Sequence, residues 1–397
     1  MNGASAGVAA GRPQPQTTNE PAGGPFVRHS PPGRRTQYQV NSVAFGGLIN
    51  QPLVAAPGYT RGYRLQAVAS GGNGSTVNGS ADAPHNWAAL VQMKDAFGTP
   101  LIVAPGYHAT FLLQLFGQQF GIGPTIDVKN LPSYSPIGAS SGNVTIPGYL
   151  PLEFAKAYGV ISSANASLLP TLQFNMNTSA LFYGTTAPGT VPTWQLTVDQ
   201  DFYWLPDGVA VEPPGLGTTQ QWVYQPANPT IGSAASLNVQ LPRLGGFLTT
   251  ILAELRDSAG ARVTTAAGNT GFPTTGNRLR FIVDGVPQMD SLYTTLQDDM
   301  AIANEVGTAF GATATAAGTT LNPAPSGVLC ISRKTALSQS AQGLFDTGEV
   351  FLSTNPGTQI EFAAAPWGGV GSGPMTLNAL CGQVVPSGAL IQGLPEV

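Results

Sequence analysis

The chain has 397 residues, of which 50 are Gly and 34 are Pro, and only 9% are charged, where a typical soluble domain carries about 25%. Lys+Arg 16 against Asp+Glu 20 leaves a formal charge of −4, which excludes a protein built mainly to neutralise nucleic acid. A hydrophobic share of 42% is enough for one or two cores, and so few charges predict a surface largely committed to other copies or partners.

Residues 1–36 stand apart. They hold six Pro, six Gly and four large apolar residues, and their charges are Arg12, Arg28, Arg34 and Arg35 against Glu20. A basic arm with so little to bury does not offset its own ordering entropy, so it is expected to be flexible unless a partner orders it. On assembly its arginines could meet an acidic surface such as lipid headgroups. No apolar leader and no run near 18 apolar residues is present, so a soluble chain made in the cytosol is expected.

From Tyr38 onward the period-2 pattern of half-buried strands keeps returning. Tyr63, Leu65 and Ala67 alternate with Arg64, Gln66 and Val68, and Leu172, Phe174 and Met176 with Gln173, Asn175 and Asn177. Trp194, Leu196, Val198, Phe202 and Trp204 share one predicted core face, while Asp199 and Asp201 point outward. Ile360, Phe362 and Ala364 repeat the device, as do Met375, Leu377, Ala379 and Cys381. The nearly continuous run Phe111 to Phe116 reads as a strand covered on both sides. Turns are predicted at Pro57-Gly58, Pro105-Gly106, Pro147-Gly148, Asp207-Gly208 and Asp284-Gly285. Helix candidates are few: Leu152 to Leu168, and Ser291 to Val306 with Leu292, Leu296, Met300 and Ala303 on one face.

Strands separated by turns describe a β-sandwich protein. One sandwich uses roughly 100–200 residues, so the length implies two. The Pro/Gly-rich passage 206–229 is the natural junction between halves at 37–205 and 230–397. Residues 149–176 and 328–364 occupy similar places in the two halves.

Chemistry is mostly absent from the pattern. His29 and His85 read as exposed loop residues, and His108 as the edge residue beginning a strand. Gly138-Ala139-Ser140-Ser141-Gly142 fits G-x-S-x-G, but its flanks supply neither the preceding strand nor the following helix of a nucleophile elbow. Gly71-Gly72-Asn73-Gly74-Ser75 lacks a following Gly-Lys-Ser/Thr and reads as a loop. Asp199 with Asp201 reads as a polar outward strand face. Asp298 and Asp299 fall in the second helix candidate, with Asp290 near its start, where the helix N-terminus favours an acid, and Glu305 near its end, which that preference does not explain. Cys330 and Cys381 read as two buried free thiols, with a single bridge between them as the alternative. No catalytic, cofactor-binding or metal-ligating residue is assigned, and the chain is expected not to be an enzyme.

The order and character of these segments resemble the double jelly-roll major capsid proteins of tectivirus-type, membrane-containing phages. The likeness is carried by Tyr38-Gln39-Val40-Asn41 followed by Arg61 to Val68, by Trp87 to Phe97 then Tyr107 to Phe116, and by Pro151 to Phe174 with its counterpart at 328–364. It implies an all-β fold of two eight-stranded jelly rolls side by side, with three copies forming a six-cornered capsomer. Those capsomers would tile an icosahedral virion shell around an internal membrane, alongside minor and vertex proteins. Family members can carry a helical N-terminal segment toward that membrane, but Pro13, Pro15, Pro21, Pro25, Pro31 and Pro32 forbid a long helix here. The alternative reading is a trimeric β-sandwich spike or adhesin that binds host glycan.

Overall fold

The computed structural model describes Phe26 and residues 30–117, 135–204, 213, 218–226, 237–241, 246–256, 278–292, 295–296, 327–332, 352–354, 357–364 and 376–386, less short stretches at 57, 75, 81, 155–156, 164–166, 168, 185 and 293–294. The first half runs β1 (Pro32–Val43), β2 (Leu48–Gln51), β3 (Gly58–Ser70), β4 (Ala88–Lys94), β5 (Pro100–Ala104), β6 (Val144–Pro151), β7 (Ile161–Ser162), β8 (Thr171–Met176) and β9 (Thr193–Trp204). A π-helix, Tyr107–Gly117, lies between β5 and β6, and a short α-helix, α1 (Ser179–Tyr183), between β8 and β9. The second half runs β10 (Thr218–Pro226), β11 (Leu237–Gln240), β12 (Phe247–Arg256), β13 (Leu279–Val283), β14 (Val286–Ser291), β15 (Val328–Ser332), β16 (Leu352–Ser353), β17 (Ile360–Ala364) and β18 (Thr376–Pro386).

Each half has the same strand order. Setting aside the two-residue β7 and β16, eight strands remain in each. In the first half one sheet is ordered β1-β9-β3-β6, or first, eighth, third, sixth; the other contains β5-β4-β8-β2, or fifth, fourth, seventh, second. The second half gives β10-β18-β12-β15 and β14-β13-β17-β11, the same two orders. These are two eight-stranded jelly rolls. The stretches 149–176 and 328–364 run from the sixth to the seventh strand of their respective rolls, as the sequence comparison of the halves anticipates. The rolls share one sheet, because β5 and β10 pair in parallel at Trp222↔Ile102 and Val223↔Val103.

The alternation read from sequence fixes the faces. Trp194, Leu196 and Val198 are fully buried, and Trp194 sits in an aromatic cluster with Trp87, Phe45 and Phe182. Tyr63, Leu65, Ala67, Leu172, Phe174 and Met176 line the same core. Asp284 and Gly285 form the β13–β14 turn with φ of 48° and 78°, the left-handed pair that a tight hairpin demands.

Several expectations are corrected. The run from Phe111 belongs to the π-helix, and the strand paired with β4 is β5. A continuous apolar run does not distinguish a covered strand from a buried helix. The helical path begins immediately after Pro105, whose carbonyl accepts from Ala109 N at 2.9 Å. Residues 152–168 contain β7 and irregular chain instead of a helix, among the described residues. Most of Ser291 to Val306 lies outside the described residues, although Leu296 N donates to Leu292 O at 3.1 Å. Pro147-Gly148 lies inside β6, an edge strand where the missing donor of proline is tolerated. Asp207-Gly208, Met375 and His29 lie outside the described residues.

Trp204 is 46% exposed because it is the last residue of β9, paired with the first residue of β3, Gly58. The arm is shorter than residues 1–36, since β1 begins at Pro32, and Phe26 is buried against Tyr59 and Tyr203. Residues 206–229, read as a connector, contain the first strand of the second roll.

Candidate functional site

The most elaborate polar chemistry lies at the seam between the rolls. β5 and β10 share only two paired positions, and side chains extend the join on either side. Gln221 Nε2 donates to the Pro100 carbonyl and receives, at its Oε1, a hydrogen bond from Gln383 Nε2 at 2.5 Å. Gln220 Nε2 donates to Glu153 O at 3.0 Å, and its Oε1 accepts from Trp222 Nε1 at 3.0 Å. These amides satisfy carbonyls that would otherwise be stranded without water. Gly382 is required beside them, since a Cβ there would lie 2.6 Å from the Trp222 ring.

An ionic chain crosses the same seam. Glu254 and Arg256 share one face of β12, which the first roll covers. Glu254 Oε1 lies 3.1 Å from His108 Nε2 of the π-helix and accepts from Arg256 Nε at 2.5 Å. Arg256 Nη1 reaches Asp82 Oδ2 of the first roll at 2.7 Å. The His108 and Glu254 side chains have no exposure, and the Tyr224 ring packs edge-on against the imidazole with centroids 4.6 Å apart. Burial alone would raise the Glu254 pKa, but the His108 imidazole and the Arg256 guanidinium overcome it and hold the carboxyl at about 2. Burial likewise opposes the Arg256 charge, and Glu254 and Asp82 together leave its pKa above the ordinary value. Such a chain fixes the relative position of the two rolls.

A second charged cluster occupies the outer face of the first sheet. Asp201 accepts from Arg34 Nε and from Arg64 Nε, each at 2.7 Å. Glu153 accepts from Arg61 Nε at 2.6 Å, from Tyr203 Oη at 2.7 Å and from Ala157 N at 2.6 Å. Arg61 stacks over the Tyr203 ring at 4.7 Å, beside the pocket that Phe26 fills with Tyr59, Ala157 and Val160. The Arg34 and Arg64 side chains remain 53% and 40% exposed, so this face keeps accessible positive charge.

His85 is buried, not exposed, with its ring 4.8 Å from that of Phe111, and burial pushes its pKa down to about 3. His108 is a buried member of the seam and not a strand edge. Asp201 is 6% exposed because two arginines cover it, whereas Asp199 is half-buried. Gly138–Gly142 forms a turn closed by Gly142 N→Gly138 O at 2.8 Å, and Gly71 and Gly74 adopt positive φ in a loop. Asp290 lies 3.5 Å from Arg280 Nε on the neighbouring strand, while Asp298, Asp299 and Glu305 lie outside the described residues. Among the described residues no group of three His, Cys, Asp or Glu could hold a metal ion. The seam residues Asp82, Gln220, Gln221, Glu254 and Arg256 were not singled out by sequence. Their one local signal is a carboxylate and a guanidinium two apart in the otherwise apolar strand Ile251 to Arg256.

Neither a family profile nor a characterised protein sequence matches the chain. Solved structures do match, across nearly the whole length. The MCP of STIV, the Sulfolobus Turreted Icosahedral Virus, aligns over 92% of this chain and 100% of its own, with a TM-score of 0.58 at 15% identity. The fold is that of the double jelly-roll major capsid proteins. Another such structure, VP54 of PBCV-1 fitted to the virophage Sputnik, covers 89% of this chain and 93% of its own, with a TM-score of 0.57 at 10% identity. The major capsid protein P2 of bacteriophage PM2 covers 90% and 99%, with a TM-score of 0.50 at 8% identity. At such identities it is the double jelly-roll fold that is shared.

Proposed function

We propose that this chain is a major capsid protein whose homotrimers form six-cornered capsomers and tile an icosahedral phage shell. The observation that carries the reading is the match of both rolls together, over about nine-tenths of the chain, to capsid proteins from several viruses. Two further features support it. Only 9% of residues are charged, which suits closely tiled neighbours. The two rolls are joined by a shared sheet and a buried ionic chain, which makes one chain a rigid double tile. In this reading the two roll domains run from β1 to β9 (32–204) and from β10 to β18 (218–386). The basic residues of the N-terminal arm face an internal membrane, and the other partners are minor and vertex proteins. The role is structural, with no active site and no sequence-specific hold on nucleic acid. Sedimentation of the purified chain tests the reading: a stable trimer is expected at micromolar concentration, and a persistent monomer contradicts it.

A further inference from the structure

Glu153 touches two parts of the chain that lie far apart in sequence. Its carboxylate serves the arm. Oε1 accepts from Tyr203 Oη at 2.7 Å and from Ala157 N at 2.6 Å, and Tyr203 and Ala157 are two walls of the pocket that Phe26 fills. Its carbonyl serves the second roll, accepting from Gln220 Nε2 of β10 at 3.0 Å. Gly159 and Val160 repeat the arrangement. Val160 is another wall of the Phe26 pocket, and the Gly159 carbonyl accepts from Thr219 Oγ1 of β10 at 3.3 Å. Thr219 and Gln220 are both buried, and Gln220 Oε1 accepts from Nε1 of Trp222, the residue that faces Ile102 in the join between the rolls.

The turn between these contacts has little freedom. Ala157 has a φ of 64°, a left-handed value that a residue with a side chain keeps only where its surroundings fix it. Gly159 has a φ of 85°, and a Cβ there would lie 2.5 Å from the Phe154 ring. From these contacts within one chain we infer that the arm and the join between the rolls are coupled. Seating Phe26 holds Glu153 and Gly159 where β10 needs them, and releasing Phe26 loosens β10. The route is short. An empty pocket frees Tyr203 and Ala157 and leaves the Glu153 carboxylate on Arg61 alone. The two buried donors of β10 then face carbonyls that are no longer held in place, and a buried donor without its acceptor is costly. Coupling between two sites acts equally in both directions, so loosening β10 also releases the arm. A partner that draws the arm away thereby alters how firmly one roll is held to the other.

Hydrogen exchange of the natural protein and Phe26→Ala, compared in the same oligomeric state, tests the coupling. The amides of β10 from Gln220 to Val223 should exchange roughly 5-fold faster or more in the variant. Those of β15, which pairs with β12 at the other end of the second roll's half of the sheet, should keep their natural rate. Unchanged exchange in β10 would overturn the inference. So would a rise of equal size in β15, which reports a general loss of stability. Trypsin cleavage after Arg28, two residues from Phe26, reads the reverse direction. Thr219→Val removes the bond to Gly159 and leaves the pocket walls intact, so it should speed that cut several-fold. A cut no faster than in the natural protein would overturn the coupling. Both readouts apply to monomer and trimer alike, so neither depends on the capsomer.

Discussion

His108 and Glu254 meet at 3.1 Å across the seam, one on the π-helix of the first roll and the other on the third strand of the second, and both side chains are fully buried. Glu254 also holds Arg256, so removing its charge strands a guanidinium and an imidazole away from water. Glu254→Gln is expected to lower stability by about 3–5 kcal/mol, the usual result of breaking a buried pair from one side. Denaturant unfolding of both proteins measures it.

The pH dependence follows from the same carboxyl. Its pKa is depressed in the fold from 4.5 to about 2, so its contribution is complete above the unfolded value and is lost as pH falls toward 2. Thermal unfolding between pH 5 and pH 2 should therefore fall more steeply for the natural protein than for Glu254→Gln. Parallel slopes would place the acid sensitivity elsewhere.

Trp194 and Asp201 share a strand but not a face. Trp194→Ala empties a fully buried aromatic site and is expected to cost about 3–5 kcal/mol. Asp201→Ala leaves two half-exposed arginines that water can reach, so about 1–2 kcal/mol is expected. Asp199, half-buried on the same outer face, should stay near 0.5 kcal/mol or below when replaced by Ala. Chemical denaturation of the three variants gives the ranking.

Cys330 and Cys381 flank β12 on opposite sides, opposite Leu252 and Ile251 respectively. Neighbouring residues of one strand point to opposite faces, so the thiols lie on different sides of the sheet and cannot bridge. Burial also pushes the Cys381 thiol up to about 12. A thiol reagent should label neither cysteine in the folded protein and both in denaturant, without prior reduction.

Phe26 ties the arm to its own roll through Tyr59 and Tyr203. Trypsin should cut the arm of Phe26→Ala faster than that of the natural protein in free trimers. In assembled particles cleavage should be slow for the natural protein, because neighbours cover the arm.

The strand faces were legible because period-2 alternation is local: Trp194, Leu196 and Val198 declare a face without reference to anything distant. The repeated roll was legible from segment order, through residues 149–176 and 328–364. What escaped was set by remote partners. Phe111 to Leu113 are apolar enough for strand or buried helix, and only packing against β6 and β12 selects the helix. Nothing near His108 announces Glu254, and nothing near Asp201 announces Arg34. Trp204 alternates correctly but lies at the end of its sheet, a boundary that periodicity does not mark.

The central claim, that the double jelly roll serves as a capsid tile, is tested most directly by electron microscopy of the purified protein under assembly conditions. The account predicts six-cornered capsomers, each of three copies, packed into sheets or closed shells. Dispersed monomers, or isolated trimers that bind glycan and never pack together, would contradict it.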